Sequence, residues 1–268
     1  MKFFKAKYAI LLNQDHICGI FFYTLEYFDY LLKNDIDIYL LTSFPKSIYN
    51  YYINDKYDKS KLHHEFFKRI NYKFNINTLS KIDNLIIFDT TTFKRYKNKN
   101  FFHDLLFYNY GNDLCSKKET FKSCYSKYNK RIITFGDKEI DLKVDYHYPL
   151  CLNFSIFKEI KEFDNDTFHE KKDNNTLNRN RFIENFHKTF NKYIYEFDGP
   201  FDRANRLIPE CKFYNKKIEL KKYNKDDSVL LRYKKNWKDY DLNNFISPDT
   251  NLSFAQFIKE FSEIKGKK

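Results

Sequence analysis

The sequence predicts an α/β protein built from two units, with the larger unit at the N-terminus. A strand, a helix and a second strand follow one another within the first forty or so residues, an order typical of a parallel sheet with a right-handed crossover. A second stretch with the same order of elements lies between residues 192 and 231. An amphipathic helix closes the chain, and we expect both units to be α/β.

The first unit begins with an apolar run over residues 8–12, which predicts a buried strand. Apolar residues then recur at helical spacing from Ile17 to Leu32, with Glu26 and Asp29 on the opposite face. Later apolar runs predict further strands at 36–41, 85–88 and 131–135.

Polar residues follow these predicted strands, in the segments 13–16, 42–43, 89–92 and 136–137. The carboxyl ends of parallel strands meet at one edge of a sheet, and open α/β sheets bind their ligands along that edge. We therefore expect the polar segments to face a ligand.

Residues 162–181 are nearly all polar, which predicts a linker or a mobile loop between the units. Ser253 and Gln256 form a capping-box pattern that opens the closing helix. Apolar runs predict the elements of the second unit: a strand at 192–197, a helix at 205–215, and strands at 218–220 and 229–231.

Composition narrows the function classes. Lysine and arginine outnumber the acidic residues by 48 to 36, and this dispersed net charge of +12 suits either a solvated lysine surface or a polyanionic partner. Neither Gly-rich phosphate-loop motif is present, and no long apolar run predicts a membrane span. The five cysteines never occur as C-x-x-C, so we expect no disulfide framework, no zinc site and a reducing, cytoplasmic compartment.

Residues 195–220 contain the clearest candidate for a ligand-binding segment. With Asn205 as the helix cap, Arg203 and Arg206 lie at the helix start, where backbone N–H groups have no intrahelical partner. Such a position suits an anion such as a phosphate. Glu210 lies about one turn into the helix, where its carboxylate could accept hydrogen bonds from a ribose diol.

A plain structural interpretation of the same segment stays open. Acidic residues occur close to both arginines in the sequence. In this interpretation Arg203 and Arg206 pair with Asp198 and Asp202, and the segment binds no ligand.

The strand, the loop, the arginine-bearing helix with its glutamate and the following strand resemble the donor site of GT-B glycosyltransferases. The resemblance implies that Glu210 binds the ribose and that Arg203 and Arg206 face the phosphates. Asp202 lies eight residues before Glu210, where retaining members of the family often carry a glutamate. The Gly-x-Gly usual in the family's loop is absent from this chain.

The resemblance implies two Rossmann-like domains, the second one small, with a C-terminal helix that crosses back to the first. The domains would span residues 1–150 on the acceptor side and 151–250 on the nucleotide-sugar side, followed by the helix in 251–268. It also implies that the first-domain loops face the acceptor, so that Asp15 or His16 is the candidate base. The alternative is that Asp15 caps the following helix and His16 is an ordinary loop residue.

The activity implied is metal-independent transfer of a sugar from a nucleoside diphosphate sugar, expected to be UDP-linked, to an acceptor hydroxyl, with no further cofactor. The chain is small and positively charged, and it is rich in Lys, Asn, Ile, Phe and Tyr, the residues of A/T-rich codons. In these respects it resembles phage-encoded DNA glycosyltransferases. The resemblance favours a hydroxylated DNA base as the acceptor and the cytoplasm of a bacterial host as the location. Two alternatives remain open: a cell-surface glycan as acceptor, and a non-enzymatic nucleic-acid-binding α/β protein.

Overall fold

The computed structural model describes residues 6–12, 19–43, 50, 53–71, 82–88, 104–109, 131–134, 146–148, 151–171, 185–196, 205–221 and 236–261. It shows a mixed α/β chain with two parallel sheets in two compact units. The first unit comprises Met1–Lys46, His63–Asn153 and Leu242–Lys268, and the second comprises Ser47–Leu62 and Phe154–Asp241. The division into domains at 150 and 250 stays a prediction.

The first unit is a parallel sheet with the strand order β3-β2-β1-β4-β5-β6-β7. Its strands are β1 (Ala6–Leu12), β2 (Ile38–Thr42), β3 (Ile70–Asn71), β4 (Ile82–Ile87), β5 (Asp104–Asn109), β6 (Arg131–Thr134) and β7 (Tyr146–His147). The four strands predicted from apolar runs are confirmed, with ends that shift by a few residues. Strands β3, β5 and β7 were not predicted. β3 and β7 have only two residues each, whereas β5 contains the apolar run 105–108, from which no strand was predicted.

Helix α1 (Gly19–Lys33) joins β1 to β2, as the sequence predicts. Its polar face is not solvent-exposed, because both Glu26 and Asp29 are fully buried. The Glu26 carboxylate accepts a hydrogen bond from the backbone N–H of Asn153 at 3.2 Å, and Asp29 accepts one from the N–H of His63 at 2.7 Å. These carboxylates hold two chain segments of the first unit against the helix.

The chain's closing helix also belongs to the first unit. It spans Phe254–Phe261 and is preceded by the predicted capping box, in which Gln256 N–H donates to Ser253 Oγ and Ser253 N–H donates to Gln256 Oε1. Phe254 packs edge-on against Tyr27 of α1, with ring centroids 4.9 Å apart. The helix therefore covers α1 through its apolar face.

The second unit is a smaller parallel sheet with the strand order β10-β9-β8. Its elements are β8 (Thr167–Lys171), β9 (Lys192–Glu196), helix α2 (Leu207–Phe213) and β10 (Lys217–Lys221). The predicted strand, helix and strand of this unit are confirmed in type and place. The strand predicted at 229–231 lies outside the described residues.

The prediction of a linker over residues 162–181 is wrong in part, because β8 lies within it. Phe168 packs edge-on against Phe186, with centroids 5.0 Å apart. Glu170 is buried, and its carboxylate accepts a hydrogen bond from Tyr193 Oη at 2.5 Å. A polar strand is stable here because a neighbouring strand satisfies its buried carboxylate.

Candidate functional site

Arg206 and Glu210 lie one helical turn apart on α2 and its N-terminal flank. The opposite face of the helix packs Leu207, Ile208 and Cys211 against the aromatic core of the second sheet. Arg206 and Glu210 are nevertheless buried, with only 4% and 1% of their surfaces exposed. Buried charges need partners, and the structure supplies them.

The Glu210 carboxylate is the centre of a charge cluster, which we call the Glu210 cluster and which consists of Glu210, Lys56, Arg206 and His187. Its Oε1 accepts hydrogen bonds from Lys56 Nζ and from Arg206 Nε, each at 2.5 Å. Its Oε2 lies 2.7 Å from His187 Nε2. Both carboxylate oxygens are therefore engaged by side chains of the same unit.

Lys56 reaches the cluster from a helical turn far away in the sequence. The backbone carbonyl of Lys56 accepts a hydrogen bond from Lys158 N–H at 3.2 Å, and the next residue, Tyr57, forms an isolated β-bridge with Phe157. The Lys56 ammonium also lies 5.4 Å from the centre of the Phe157 ring. These contacts fix the lysine beside Glu210.

His187 is held by a 3-10 turn that spans Phe186–Lys188. The residue before the turn, Asn185, has a φ of 54°, a left-handed conformation that asparagine tolerates better than most residues. The Lys216 ammonium donates to the carbonyl oxygens of His187 and Phe190, each at 2.5 Å. The backbone around the imidazole is therefore fixed from both ends.

Electrostatics make Glu210 the ionised member and His187 the neutral member of the cluster. Burial alone would raise the pKa of the Glu210 carboxyl, but the charges of Lys56 and Arg206 hold that pKa well below its ordinary value. Burial lowers the pKa of the His187 imidazole to about 4, against the opposing effect of Glu210. A neutral imidazole beside a carboxylate donates its one N–H to it, so the proton is on Nε2 and Nδ1 is an acceptor.

The sequence-predicted site residues fall into two groups. Arg206 and Glu210 are brought together as a buried ion pair, and Asn205 caps the helix by accepting a hydrogen bond from Ile208 N–H at 3.2 Å. Asp202 and Arg203 lie outside the described residues, and so do Asp15 and His16. The roles assigned to them stay predictions.

Sequence reasoning missed Lys56 and His187. Lys56 lies 154 residues before Glu210, and no spacing rule connects the two. His187 carried a weak signal, because it lies between Phe186 and Phe190 in an aromatic stretch where a polar residue is expected to be buried with a partner.

Two further observations concern the described part of the chain. It holds no group of three or more histidine, cysteine, aspartate or glutamate residues arranged to bind a metal ion. None of its helices combines the length and the apolar character that crossing a bilayer requires.

Comparisons with known proteins give one similarity. No protein-family model matches the sequence, and a search of curated proteins finds no match. Among solved structures, the chain is similar to an alpha-glucosyltransferase in complex with UDP, at 12% sequence identity and a TM-score of 0.33, over 84% of this chain and 70% of that chain. A TM-score of this size carries no argument about function, which must come from the chain's own side chains.

Proposed function

We propose that the chain is a glycosyltransferase that moves a sugar from a nucleoside diphosphate sugar to an acceptor hydroxyl, and that its second unit binds the nucleotide. The observation that carries the proposal is the buried Arg206–Glu210 pair on the helix between the parallel strands β9 and β10. Strand, helix and strand with these two residues form the segment that resembles the donor site of GT-B glycosyltransferases.

The chemistry of this segment suits a diphosphate leaving group. Sugar transfer releases a nucleoside diphosphate, and a guanidinium fixed beside it stabilises the developing negative charge. Arg206 is fixed because its Nε donates to Glu210 Oε1. We assign Asp202 and Arg203 to the same site, because they come shortly before this helix in the sequence.

The part that Glu210 plays follows from its partners. Both of its oxygens already accept hydrogen bonds, and only 1% of its surface is exposed. A ribose hydroxyl can bind this carboxylate only by displacing one of its three hydrogen-bond donors. Lys56 belongs to the segment Ser47–Leu62, whereas the other two donors lie in Phe154–Asp241 together with Glu210, so we propose that Lys56 is the donor displaced. Glu210 therefore holds Arg206 in place and offers the ribose a contact by exchange.

For the acceptor we propose a hydroxylated base in DNA. The net charge of +12 favours the approach of a polyanion. Inverting transfer needs a group that takes the proton of the acceptor hydroxyl, and we propose Asp15 or His16, which follow β1 in the sequence.

The test is a transfer assay on the whole chain. The protein is incubated with hydroxymethylated DNA and a panel of nucleotide-sugars, and the DNA is digested to nucleosides for mass spectrometry. We expect an added sugar mass on the hydroxylated nucleoside, and we expect Asp15→Asn or His16→Gln to abolish it without changing the melting temperature. Unmodified DNA together with a glycosylated saccharide would exclude the DNA acceptor. No transfer to any acceptor from any donor would contradict the activity.

A further inference from the structure

A series of hydrogen bonds runs through the buried interior of the second unit. It links Glu170 on β8, Tyr193 on β9 and Asn205, which lies two residues before α2. Tyr193 Oη donates to Glu170 Oε2 at 2.5 Å, and Asn205 Nδ2 donates to Tyr193 Oη at 3.3 Å. Each of the three residues has at most 4% of its surface exposed. We call them the Glu170 network, and it shares no residue with the Glu210 cluster.

The hydrogen bonds of the Glu170 network all run in one direction. A carboxylate only accepts, so the Tyr193 hydroxyl donates its one hydrogen to Glu170. The hydroxyl oxygen then accepts from the NH2 group of Asn205. The amide oxygen of Asn205 therefore faces the other way, toward the backbone N–H of Ile208, from which it accepts at 3.2 Å.

The opposite orientation of the Asn205 amide is unfavourable at both ends. It would bring the amide oxygen against the Tyr193 oxygen, whose hydrogen is already engaged by Glu170. It would also bring the amide NH2 group against the N–H of Ile208. Neither contact is a hydrogen bond, and buried polar groups left without one are costly. Glu170 therefore selects, through Tyr193, the amide orientation that caps α2.

This capping orientation fixes the backbone next to Arg206. Asn205 directly precedes Arg206, so the network holds the N-terminal side of the arginine. On its C-terminal side, the Arg206 carbonyl accepts from Glu210 N–H at 3.2 Å, and the Arg206 Nε donates to Glu210 Oε1. A charged group stabilises developing charge best when its position is fixed before the reaction.

We propose that Glu170 and Tyr193 are positioning residues for Arg206, the arginine assigned to the diphosphate of the nucleotide-sugar. Both side chains are buried, and they act through Asn205. The inference rests on the proposed function for the role of the diphosphate. The positioning of Arg206 itself is measurable with no ligand present.

A network that served only stability would behave differently from a positioning network. Replacing both partners of a buried hydrogen bond by apolar groups of similar shape is often nearly neutral for stability. Glu170→Met together with Tyr193→Phe removes the carboxylate and the hydroxyl at once, so the melting temperature should stay near that of the wild type. The Asn205 amide nevertheless loses the acceptor that orients it, and the order of Arg206 should fall.

The first measurement follows the Nε–H proton of Arg206 by NMR in the ligand-free full chain with isotope-labelled arginine. Its signal is assigned by its loss in Arg206→Lys. Tyr193→Phe and the double variant should each speed the exchange of this proton with solvent about fivefold, because the Asn205 amide loses its fixed orientation. Glu170→Gln keeps an acceptor oxygen for the Tyr193 hydroxyl, so its exchange rate should stay within about twofold of the wild type.

The matched control is Tyr148→Phe in the first unit. Tyr148 Oη lies 2.6 Å from Thr250 Oγ1, and only 1% of the tyrosine is exposed. The substitution removes the same hydrogen-bonded hydroxyl from an equally buried tyrosine. It should lower the melting temperature and leave the exchange of the Arg206 proton unchanged.

The second measurement is calorimetric titration of the same variants with UDP and the other nucleoside diphosphates. Tyr193→Phe and the double variant should bind about fivefold more weakly than the wild type, because Arg206 is less ordered. Tyr148→Phe should bind as the wild type does.

Three exchange results would overturn the proposal: wild-type exchange of the Arg206 proton in Tyr193→Phe and the double variant, faster exchange in Tyr148→Phe as well, or exchange in Glu170→Gln as fast as in Tyr193→Phe. If Tyr193→Phe does not fold, the double variant decides. Faster exchange with unchanged nucleotide affinity would overturn the link to the diphosphate. If no nucleoside diphosphate binds the wild type, the proposed function fails, and the exchange rates still decide whether the Glu170 network positions Arg206.

Discussion

Two buried carboxylates on helices, one in each unit, are held in different ways. Asp29 on α1 accepts from the His63 backbone N–H at 2.7 Å and from the Asn153 amide at 3.0 Å, and pairs with Lys33 at 2.8 Å. Glu210 on α2 instead meets the buried Arg206 guanidinium, the partly buried Lys56 ammonium and an imidazole. The first set of partners is mostly peptide and amide groups, and the second is ionic.

The two arrangements affect the carboxyl groups in opposite directions. Burial raises the pKa of Asp29 although Lys33 and its hydrogen bonds work against that rise. The cations around Glu210 overcome burial and hold its pKa well below the ordinary value. Asp29 fastens chain segments mostly through peptide and amide hydrogen bonds, with Lys33 beside it. A carboxylate whose pKa is lowered by two cations next to a neutral histidine is an arrangement that often occurs at binding sites.

The largest effect is expected from Glu210→Gln. It removes the charge between Lys56 and Arg206, and breaking a buried ion pair on one side costs about 3–5 kcal/mol. Urea unfolding at pH 7 measures the loss. Because the pKa of Glu210 is lowered in the folded chain, its contribution to the free energy of unfolding is complete above the unfolded pKa of 4.5 and is lost as the pH falls below that value. The difference in stability between the wild type and the variant should therefore shrink in acid. An unchanged midpoint at pH 7 would contradict the cluster.

The next effect is the pH dependence that His187 confers. The pKa of its imidazole is about 4 in the folded chain and 6.5 in the reference state, so unfolding takes up a proton between these values. The folded state should lose stability as the pH falls from 6.5 toward 4, by roughly 3 kcal/mol at most. In His187→Gln this part of the slope should vanish; a slope equal to that of the wild type would show that the imidazole is not buried and neutral.

A smaller effect is expected from Asp29→Asn, about 1 kcal/mol at neutral pH, because lost charge-assisted hydrogen bonds are offset by relief of a buried charge. The pH trend should be opposite to that of Glu210. The raised pKa of Asp29 means that the folded state holds this proton more tightly, so wild-type stability from this group increases as the pH falls toward 3.8. The difference in the free energy of unfolding between the wild type and Asp29→Asn should therefore increase as the pH falls. A gap that narrows would remove the distinction between the two carboxylates.

The smallest effect is expected from an exposed ion pair of the first unit. Asp37 pairs with Arg69, and 63% of the Asp37 side chain is exposed. Asp37→Ala should change the free energy of unfolding by less than about 1 kcal/mol, and added salt should reduce even that difference. A loss as large as that of Glu210→Gln would mean that burial is not what distinguishes the Glu210 cluster.

Local signals in the sequence account for much of the fold. Apolar runs predicted β1, β2, β4 and β6, because buried parallel strands leave continuous apolar segments. The capping pair Ser253 and Gln256 predicted the start of α3 (Phe254–Phe261). Strand β8 was not predicted, because its only large apolar side chain is Phe168. Its buried Glu170 accepts a hydrogen bond from Tyr193, a partner that no local sequence pattern indicates.

The candidate site was predictable only in its local part. Asn205, Arg206 and Glu210 lie within six residues, and helix rules place them together. Lys56 and His187 reach the same carboxylate through the tertiary fold, from 154 and 23 residues away. The sequence therefore indicated a carboxylate open to a ribose, whereas the fold surrounds it with partners.

The central claim is that the segment with Arg206 and Glu210 binds a nucleoside diphosphate, and calorimetric titration of the full chain with UDP and the other nucleoside diphosphates tests it most directly. We expect at least one of them to bind the wild type, Arg206→Lys to weaken that binding by about tenfold or more because lysine lacks the planar guanidinium, and Lys217→Ala to leave it unchanged. Absence of binding by every nucleoside diphosphate, or equal binding by Arg206→Lys and wild type, would contradict the claim.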